Sequence, residues 1–283
     1  MTLHTRLFLS DLTHLDCAYF DAQSGLTGES WRVDAELGGS LAEDGMLCDF
    51  GIVKSRLKAA LDADIDHRLL LTASQLDDLH QSGEAIELIL RQGDGQHLRY
   101  RAPQQSLALL DMPALSEEAL ALELSRRMKA VLPDNISMLR LHLTPAHQAD
   151  PYRYCHGLRQ HQGNCQRMAH GHRSRLSIRV DGRSAPALEA QWRSRFNGCY
   201  IGAAGDLASS AGGRHVFAYR GSQGEFELDL PAARSYVLEA EPTVEHLSAH
   251  IARALQRELA GRHIECEAFE GIGKGAISEV HPE

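Results

Sequence analysis

Apolar and polar residues alternate along WRVDAEL (31–37), MLRLHL (138–143) and SRLSIRV (174–180). A repeat of two is that of a strand with one buried face. The stretches around Leu7 to Leu15, YRYCHGL (152–158) and IECEAFEG (264–271) read as extended in the same way. Elsewhere the repeat lengthens to that of a helix. In 46–63 it is carried by Ile52, Val53, Leu57, Ala60 and Leu61. After the cap and acidic first turn Ser116-Glu117-Glu118 it is carried by Leu120, Leu124, Met128 and Val131. After Pro242-Thr243 it is carried by Val244, Leu247, Ile251, Leu255 and Leu259.

The order strand–strand–helix–helix–strand–strand thus occurs twice, with a boundary expected near Asp150-Pro151. It predicts an α+β protein of two tandem units, 1–150 and 151–283, each an antiparallel sheet with two helices on one face. The second unit contains a poorly patterned region, 183–235. Its segment GAAGDLASSAGG (202–213) suggests a loop or an altered insertion.

Composition narrows the partners. The chain has 283 residues, long enough for two units that each bury a core. It is 43% apolar and 24% charged, as soluble globular proteins are. A net charge of −9 argues against nucleic acid or an anionic membrane. No apolar run approaches the ~20 residues that cross a bilayer, and the first apolar stretch is interrupted too early, at Asp11, for a signal peptide. The cysteines Cys17, Cys48, Cys155, Cys165, Cys199 and Cys266 follow no framework spacing. They read as reduced thiols of a cytoplasmic protein.

The chemistry concentrates in 152–180, where His156, Cys165, His170 and His172 fall within seventeen residues. On a strand, His170 and His172 share a face, with Gly171 expected to leave space between them. His156, on the preceding extended stretch, supplies a third imidazole. Three nitrogen ligands with an open fourth position describe a catalytic zinc (Zn2+) site.

These residues resemble the 6-pyruvoyl-tetrahydropterin synthase and 6-carboxytetrahydropterin synthase family, whose subunits adopt the tunnelling fold. The resemblance runs across most of the chain. It is carried by Tyr152, His156 and Leu158, by Cys165 ahead of His170-Gly171-His172, and by Gly45-Met46-Leu47-Cys48-Asp49-Phe50. Asp66-His67, Pro242-Thr243-Val244-Glu245 and Glu270 in the last strand complete it. The family implies a zinc-dependent lyase acting on 7,8-dihydroneopterin triphosphate. Its products are 6-pyruvoyl-tetrahydropterin, or 6-carboxy-tetrahydropterin for deazapurine (queuosine) biosynthesis. It implies zinc on His156, His170 and His172, and Cys165 as general base, since a thiol beside cations ionises readily. It further implies Asp66-His67 as a second acid/base element, Glu270 as the anchor of the pterin ring, and Thr243 and Glu245 as supports of that pocket. Arg167, Arg173 and Arg175 are candidates for the triphosphate. The alternatives are a dihydroneopterin side-chain aldolase and a non-catalytic pterin- or purine-binding protein.

Departures from the family pattern divide between the halves. The first half keeps Asp49-Phe50 and Asp66-His67 but reads Thr27-Gly28-Glu29 in place of His-Gly-His, with Leu143 at the expected anchor position and His14 at that of a lost ligand. The second half keeps the histidines, Cys165, Thr243 and Glu270 but has no Asp-His pair. One site per chain is therefore expected, with Asp66-His67 supplied by the first half of the same chain or a neighbour. The family implies a homo-oligomer, a dimer or larger.

Overall fold

The computed structural model describes residues 5–76 and 79–282, so residues 1–4 and Glu283, the ends of the two expected halves, lie outside it. The first half runs β1 (Arg6–Asp21), β2 (Gly25–Gly39), α1 (Phe50–Asp64), β3 (Leu69–Thr72), β4 (Leu79–Ser82), β5 (Ala85–Arg91), β6 (His97–Pro103), β7 (Leu107–Leu110), α2 (Glu117–Met128) and β8 (Ile136–Pro145). The second half runs β9 (Tyr152–His156), β10 (His170–Ser174), β11 (Leu176–Val180), β12 (Arg183–Ser184), α3 (Pro186–Phe196), β13 (Cys199–Ala203), β14 (Leu207–Ala211), β15 (Arg214–Gly221), β16 (Gly224–Pro231), β17 (Ser235–Leu238), α4 (Val244–Glu258), β18 (Ile264–Phe269) and β19 (Gly275–Val280). Hairpin, helix, short strand, three-stranded meander, short strand, helix and closing strand follow in the same order in both, with β12 and β19 added in the second half.

Two expectations are corrected. The region 183–235 is neither a loop nor an altered insertion: it folds into α3 and β13 to β16, which follow the order of α1 and β3 to β6. Its helix was hidden because only Trp192 and Phe196 are buried on it, too few to print a stripe. Two of the four sheets are also mixed rather than antiparallel. β1–β3, β3–β7, β9–β13 and β13–β17 pair in parallel. The strands they add, LLLT, LALL, CYIGA and SYVL, are short and largely apolar, so no alternation marked them. They also separate the two helices of each half.

A five-stranded sheet orders β7-β3-β1-β2-β8 under α1 and α2. The second half divides the equivalent surface into β10-β9-β13-β17 and β12-β11-β18-β19. The two meanders join where β16 meets β6, giving one six-stranded sheet from both halves. Each half has its own apolar cluster, around Leu57, Leu61 and Leu124 in one and Trp192, Ile251 and Leu255 in the other. A third combines both, with Tyr100 and Leu88 against Cys155, Met168, Phe217 and Leu228. The halves are therefore welded through a shared core.

Caps fix three helix starts: the side chains of Asp49, Ser116 and Thr243 accept from Ile52, Ala119 and His246 N–H respectively. At the end of α2, Glu123 accepts from Arg126 Nη2 at 2.8 Å and Arg127 Nε at 2.7 Å. Those hydrogen bonds hold its carboxyl down to about 2. A carboxylate depressed in the folded state adds stability above its unfolded value and loses it as pH falls through the folded one. Glu123→Gln is expected to lower stability by about 1 kcal/mol at pH 7. The difference should shrink between about pH 4.5 and pH 2, as followed by urea unfolding.

Candidate active site

His156 ends β9 and lies directly opposite His170 on β10, with His172 two residues further on. All three imidazoles are fully buried. Two have Nδ1 hydrogen-bonded to a carbonyl oxygen, Pro242 O at 2.8 Å for His156 and Arg167 O at 2.6 Å for His170, and His172 Nδ1 lies 3.1 Å from Asp16 Oδ1 as an ion-pair contact. With Nδ1 protonated toward the carbonyl oxygens, Nε2 of His156 and of His170 carries a lone pair. His156 Nε2 and His172 Nε2 stand 3.0 Å apart, and His170 Nε2 is buried with no hydrogen-bond partner. Donor atoms of the three rings lie within 4.8 Å of one another, and the ring planes cross at 44°, 76° and 84°. A cation among the rings would be a common partner for the converging Nε2 atoms, in place of the contact between His156 and His172. Burial, together with the neighbouring imidazoles, holds His156 and His170 well below the usual histidine range. Neutral imidazole is the form that binds a metal. The residues fit zinc.

Gly171 does not make room between the imidazoles. Strand alternation puts it on the other face, where β2 crosses β10 at Gly28. A Cβ on Gly171 would lie 2.7 Å from Gly28 Cα, and one on Gly28 2.1 Å from Tyr154 O. This contact of two glycines lets the first half reach the histidines.

The Asp-His pair arrives from the first half of the same chain. His67 Nδ1 lies 2.5 Å from Asp66 Oδ2, and its ring centre is 4.8 Å from that of His170. His67, Cys165 and His170 offer donor atoms within 4.8 Å of one another. Burial works against charge on His67, but the hydrogen bonds of Asp66 and Cys165 prevail and hold it up to about 10. A dication held at the adjacent imidazoles would lower that value. His67 also has φ of 55°, a left-handed backbone rare outside glycine. Its N–H donates to Asp16 O at 2.8 Å, while Asp66 Oδ1 accepts from Asp16 N at 2.9 Å. These two bonds clamp the strained residue.

Cys165 sits in a single 3-10 turn, Asn164–Gln166, on the loop between β9 and β10. Its carbonyl accepts from Leu158 N–H at 2.9 Å. The next residue is gripped by the second meander: Tyr219 Oη donates to Gln166 O at 2.7 Å, and Gln223 N to Gln166 Oε1 at 2.8 Å. The region whose pattern looked decayed thus holds the turn bearing the thiol.

Glu270 Oε1 lies 3.9 Å from both His156 Nε2 and His172 Nε2. Thr243, half-buried, caps α4 beside Pro242, whose carbonyl orients His156. Glu245 is exposed on the next turn and joins none of these contacts among the described residues. The arginine candidates are already engaged. Arg167 is buried, donates to Gln223 Oε1 at 3.0 Å and Asp66 O at 3.4 Å, and is lowered to about 10 by burial and by Arg68. Arg173 donates to Ala146 O, and Arg175 lies over the Phe269 ring.

Two groups escaped the sequence reading, Asp16 and Lys274. Asp16 is buried within β1 and accepts from Ser30 Oγ at 2.5 Å. Burial pushes its carboxyl up, but His172, Lys274 and Ser30 outweigh burial and hold it far below the usual range. Lys274 Nζ lies 3.2 Å from Asp16 Oδ2. Nothing in an alternating strand distinguishes such an aspartate, because its partners come from the other half.

The strand registers locate the counterpart positions in the first half. Tyr19 pairs with Thr27, Ala18 with Gly28 and Cys17 with Glu29, as His156 pairs with His170, Cys155 with Gly171 and Tyr154 with His172. The counterpart of His156 is therefore Tyr19. His14 is instead a half-exposed partner of Asp11. By the same register Pro145, paired with Trp31, matches Glu270, and Leu143 does not. Asn197-Gly198 replaces Asp66-His67 down to the hydrogen bonds: Arg153 N donates to Asn197 Oδ1 at 2.9 Å and Gly198 N to Arg153 O at 2.7 Å. Gly198 has φ of 73°. Glu29, the counterpart of His172, is buried, and Arg153 lies against it at 2.9 Å, with Arg173 at 3.7 Å. Here two guanidinium groups occupy the place of metal chemistry.

The sequence pattern of 6-pyruvoyl tetrahydropterin synthases matches residues 11–150. Residues 11–150 belong to the 6-pyruvoyl tetrahydropterin synthase family. The matched half is the one that carries Asp66 and His67. Among solved structures, the chain is similar to 6-pyruvoyltetrahydropterin synthase from Plasmodium vivax, at 18% identity over 52% of this chain and 95% of that one, with a TM-score of 0.42. Variants of that protein's catalytic residue match equally. The Plasmodium falciparum 6-pyruvoyl tetrahydropterin synthase is similar at 19% identity over 50% of this chain and 91% of that one, with a TM-score of 0.40. No curated protein matches the chain in sequence. Among the described residues, no helix is long and apolar enough to cross a membrane.

Proposed function

We propose that this protein is a zinc-dependent lyase acting on 7,8-dihydroneopterin triphosphate, with one active site per chain built from both halves. The observation that carries the reading is the convergence of three buried imidazoles, two of them fixed at Nδ1 by carbonyl oxygens, beside Cys165 and His67. We read residues 1–150 and 151–283 as diverged copies of one unit, a reading supported by the repeated element order and matching registers. His156, His170 and His172 would hold the metal. Zinc bound there would act as a Lewis acid on the oxygens of the substrate side chain and acidify the adjacent C–H or O–H.

The chain's own groups then divide the work. The Glu270 carboxylate accepts from the 2-amino and ring N–H groups of the pterin and fixes its side chain toward the histidines. Cys165, as thiolate, takes the proton released from the side chain. His67, steered by Asp66, delivers a proton to the opposite end of the rearranging unit. Thr243 supports His156 through the start of α4. A reducing cytoplasm suits this chemistry, since Cys165 works only as a free thiol. A homo-oligomer is supported by β8 and β19, which end their sheets without a further partner among the described residues.

Incubation with 7,8-dihydroneopterin triphosphate, with and without a chelator, tests the assignment. Chelator-sensitive release of inorganic triphosphate is expected, and accompanying acetaldehyde marks the 6-carboxy product. Glycolaldehyde released with the triphosphate still attached would instead assign a side-chain aldolase, and tight binding without turnover a pterin-binding protein.

A further inference from the structure

Glu270 and Lys274 face each other across the turn between β18 and β19, with Glu270 N–H donating to Lys274 O at 3.0 Å. Gly271 and Gly273 make the turn tight through φ of 67° and 69°. The turn presses against the first half, since a Cβ on Gly271 would lie 2.5 Å from Asp16 Oδ1. Lys274 Nζ stands 3.2 Å from Asp16 Oδ2 and 3.9 Å from Glu270 Oε2, with half its side chain exposed. An ammonium has three donors and no acceptor. Asp16 takes one of them, which leaves others beside the carboxylate.

A 2-amino-4-oxo pyrimidine ring presents three groups along one edge: an amino N–H, a ring N–H and a carbonyl oxygen. Glu270 can accept from the two donors, but a carboxylate cannot serve the carbonyl. We propose that Lys274 determines ring specificity by donating an N–H to the 4-oxo oxygen of the ring that Glu270 holds. Together the two side chains read a donor–donor–acceptor edge, and a ring with a 4-amino group meets the ammonium donor to donor. The inference rests on the pterin reading above and extends it to a residue outside the family's motifs. Sites built to hydrogen-bond a substrate group reject analogues that leave the protein's own polar group unpaired.

The test is equilibrium binding of pterin and of 2,4-diaminopteridine to the zinc-loaded full chain, as wild type, Lys274→Met and Lys274→Arg. Wild type should favour the 4-oxo ring. In Lys274→Met that preference should fall roughly 10- to 100-fold, chiefly through lost pterin affinity, with arginine restoring most of it. Zinc content should stay unchanged, which separates ring reading from an indirect effect through Asp16 and His172. Equal weakening of both rings, or an unchanged preference, would overturn the assignment of Lys274 and leave the pterin site standing. Failure of wild type to bind either ring would overturn both.

Discussion

Cys165→Ala is expected to reduce turnover of the pterin substrate by about 10³-fold while zinc content and pterin affinity stay near wild type. The thiol lies on a loop turn anchored through its backbone and through Gln166, so the substitution removes a reacting group without disturbing the support. His67→Asn should behave alike, because asparagine tolerates the left-handed backbone that His67 adopts at φ of 55°. Folding stability of His67→Asn should fall by about 1–3 kcal/mol, because Asp66 loses its partner, while turnover falls by about 10²- to 10⁴-fold. Single-turnover kinetics with metal analysis on the same samples separates the roles. Loss of zinc along with activity in Cys165→Ala would make the cysteine a ligand and contradict its role as base.

The second large effect is one of stability, far from the histidines in sequence but at their counterpart position. Glu29→Ala is expected to destabilise the chain by about 3–5 kcal/mol, since it leaves Arg153 and Arg173 facing a partly buried void without an anion. Burial already raises Glu29 above the usual carboxylate range despite both arginines, so desolvation is a real opposing cost there. Replacing the closer pair together, Glu29→Leu with Arg153→Met, should recover part of the loss, because well-packed apolar groups escape that cost while Arg173 still lacks its anion. Denaturant midpoints of the two variants check this. A small loss in Glu29→Ala would mean that the ion pair is solvated and that the contact between halves relies on the shared apolar core alone.

Local chemistry was legible in the sequence wherever one strand or one helix start carried it. His170 and His172 share a face by periodicity alone, and Thr243 and Ser116 cap helices by residue type. What escaped depended on contacts between the halves. Asp16 orients His172 from a strand more than a hundred and fifty residues away, and Lys274 reaches it from the last hairpin. Gly171 was read against its neighbours in sequence, whereas its missing side chain is required by Gly28. The fold followed the same division. Long alternating strands and amphipathic helices were visible, while four- and five-residue apolar strands, buried in parallel ladders, printed no period. α3 was lost because two aromatic residues do most of its packing. The misplacement of His14 and Leu143 arose from counting along the chain rather than across the ladder.

The measurement that bears most directly on this account is the metal content of the purified full-length chain, by elemental analysis, beside that of His170→Ala. One equivalent of zinc per polypeptide is expected, falling to background in the variant. A chain that retains none, or that holds two firmly, would contradict a single three-histidine centre assembled from unequal halves.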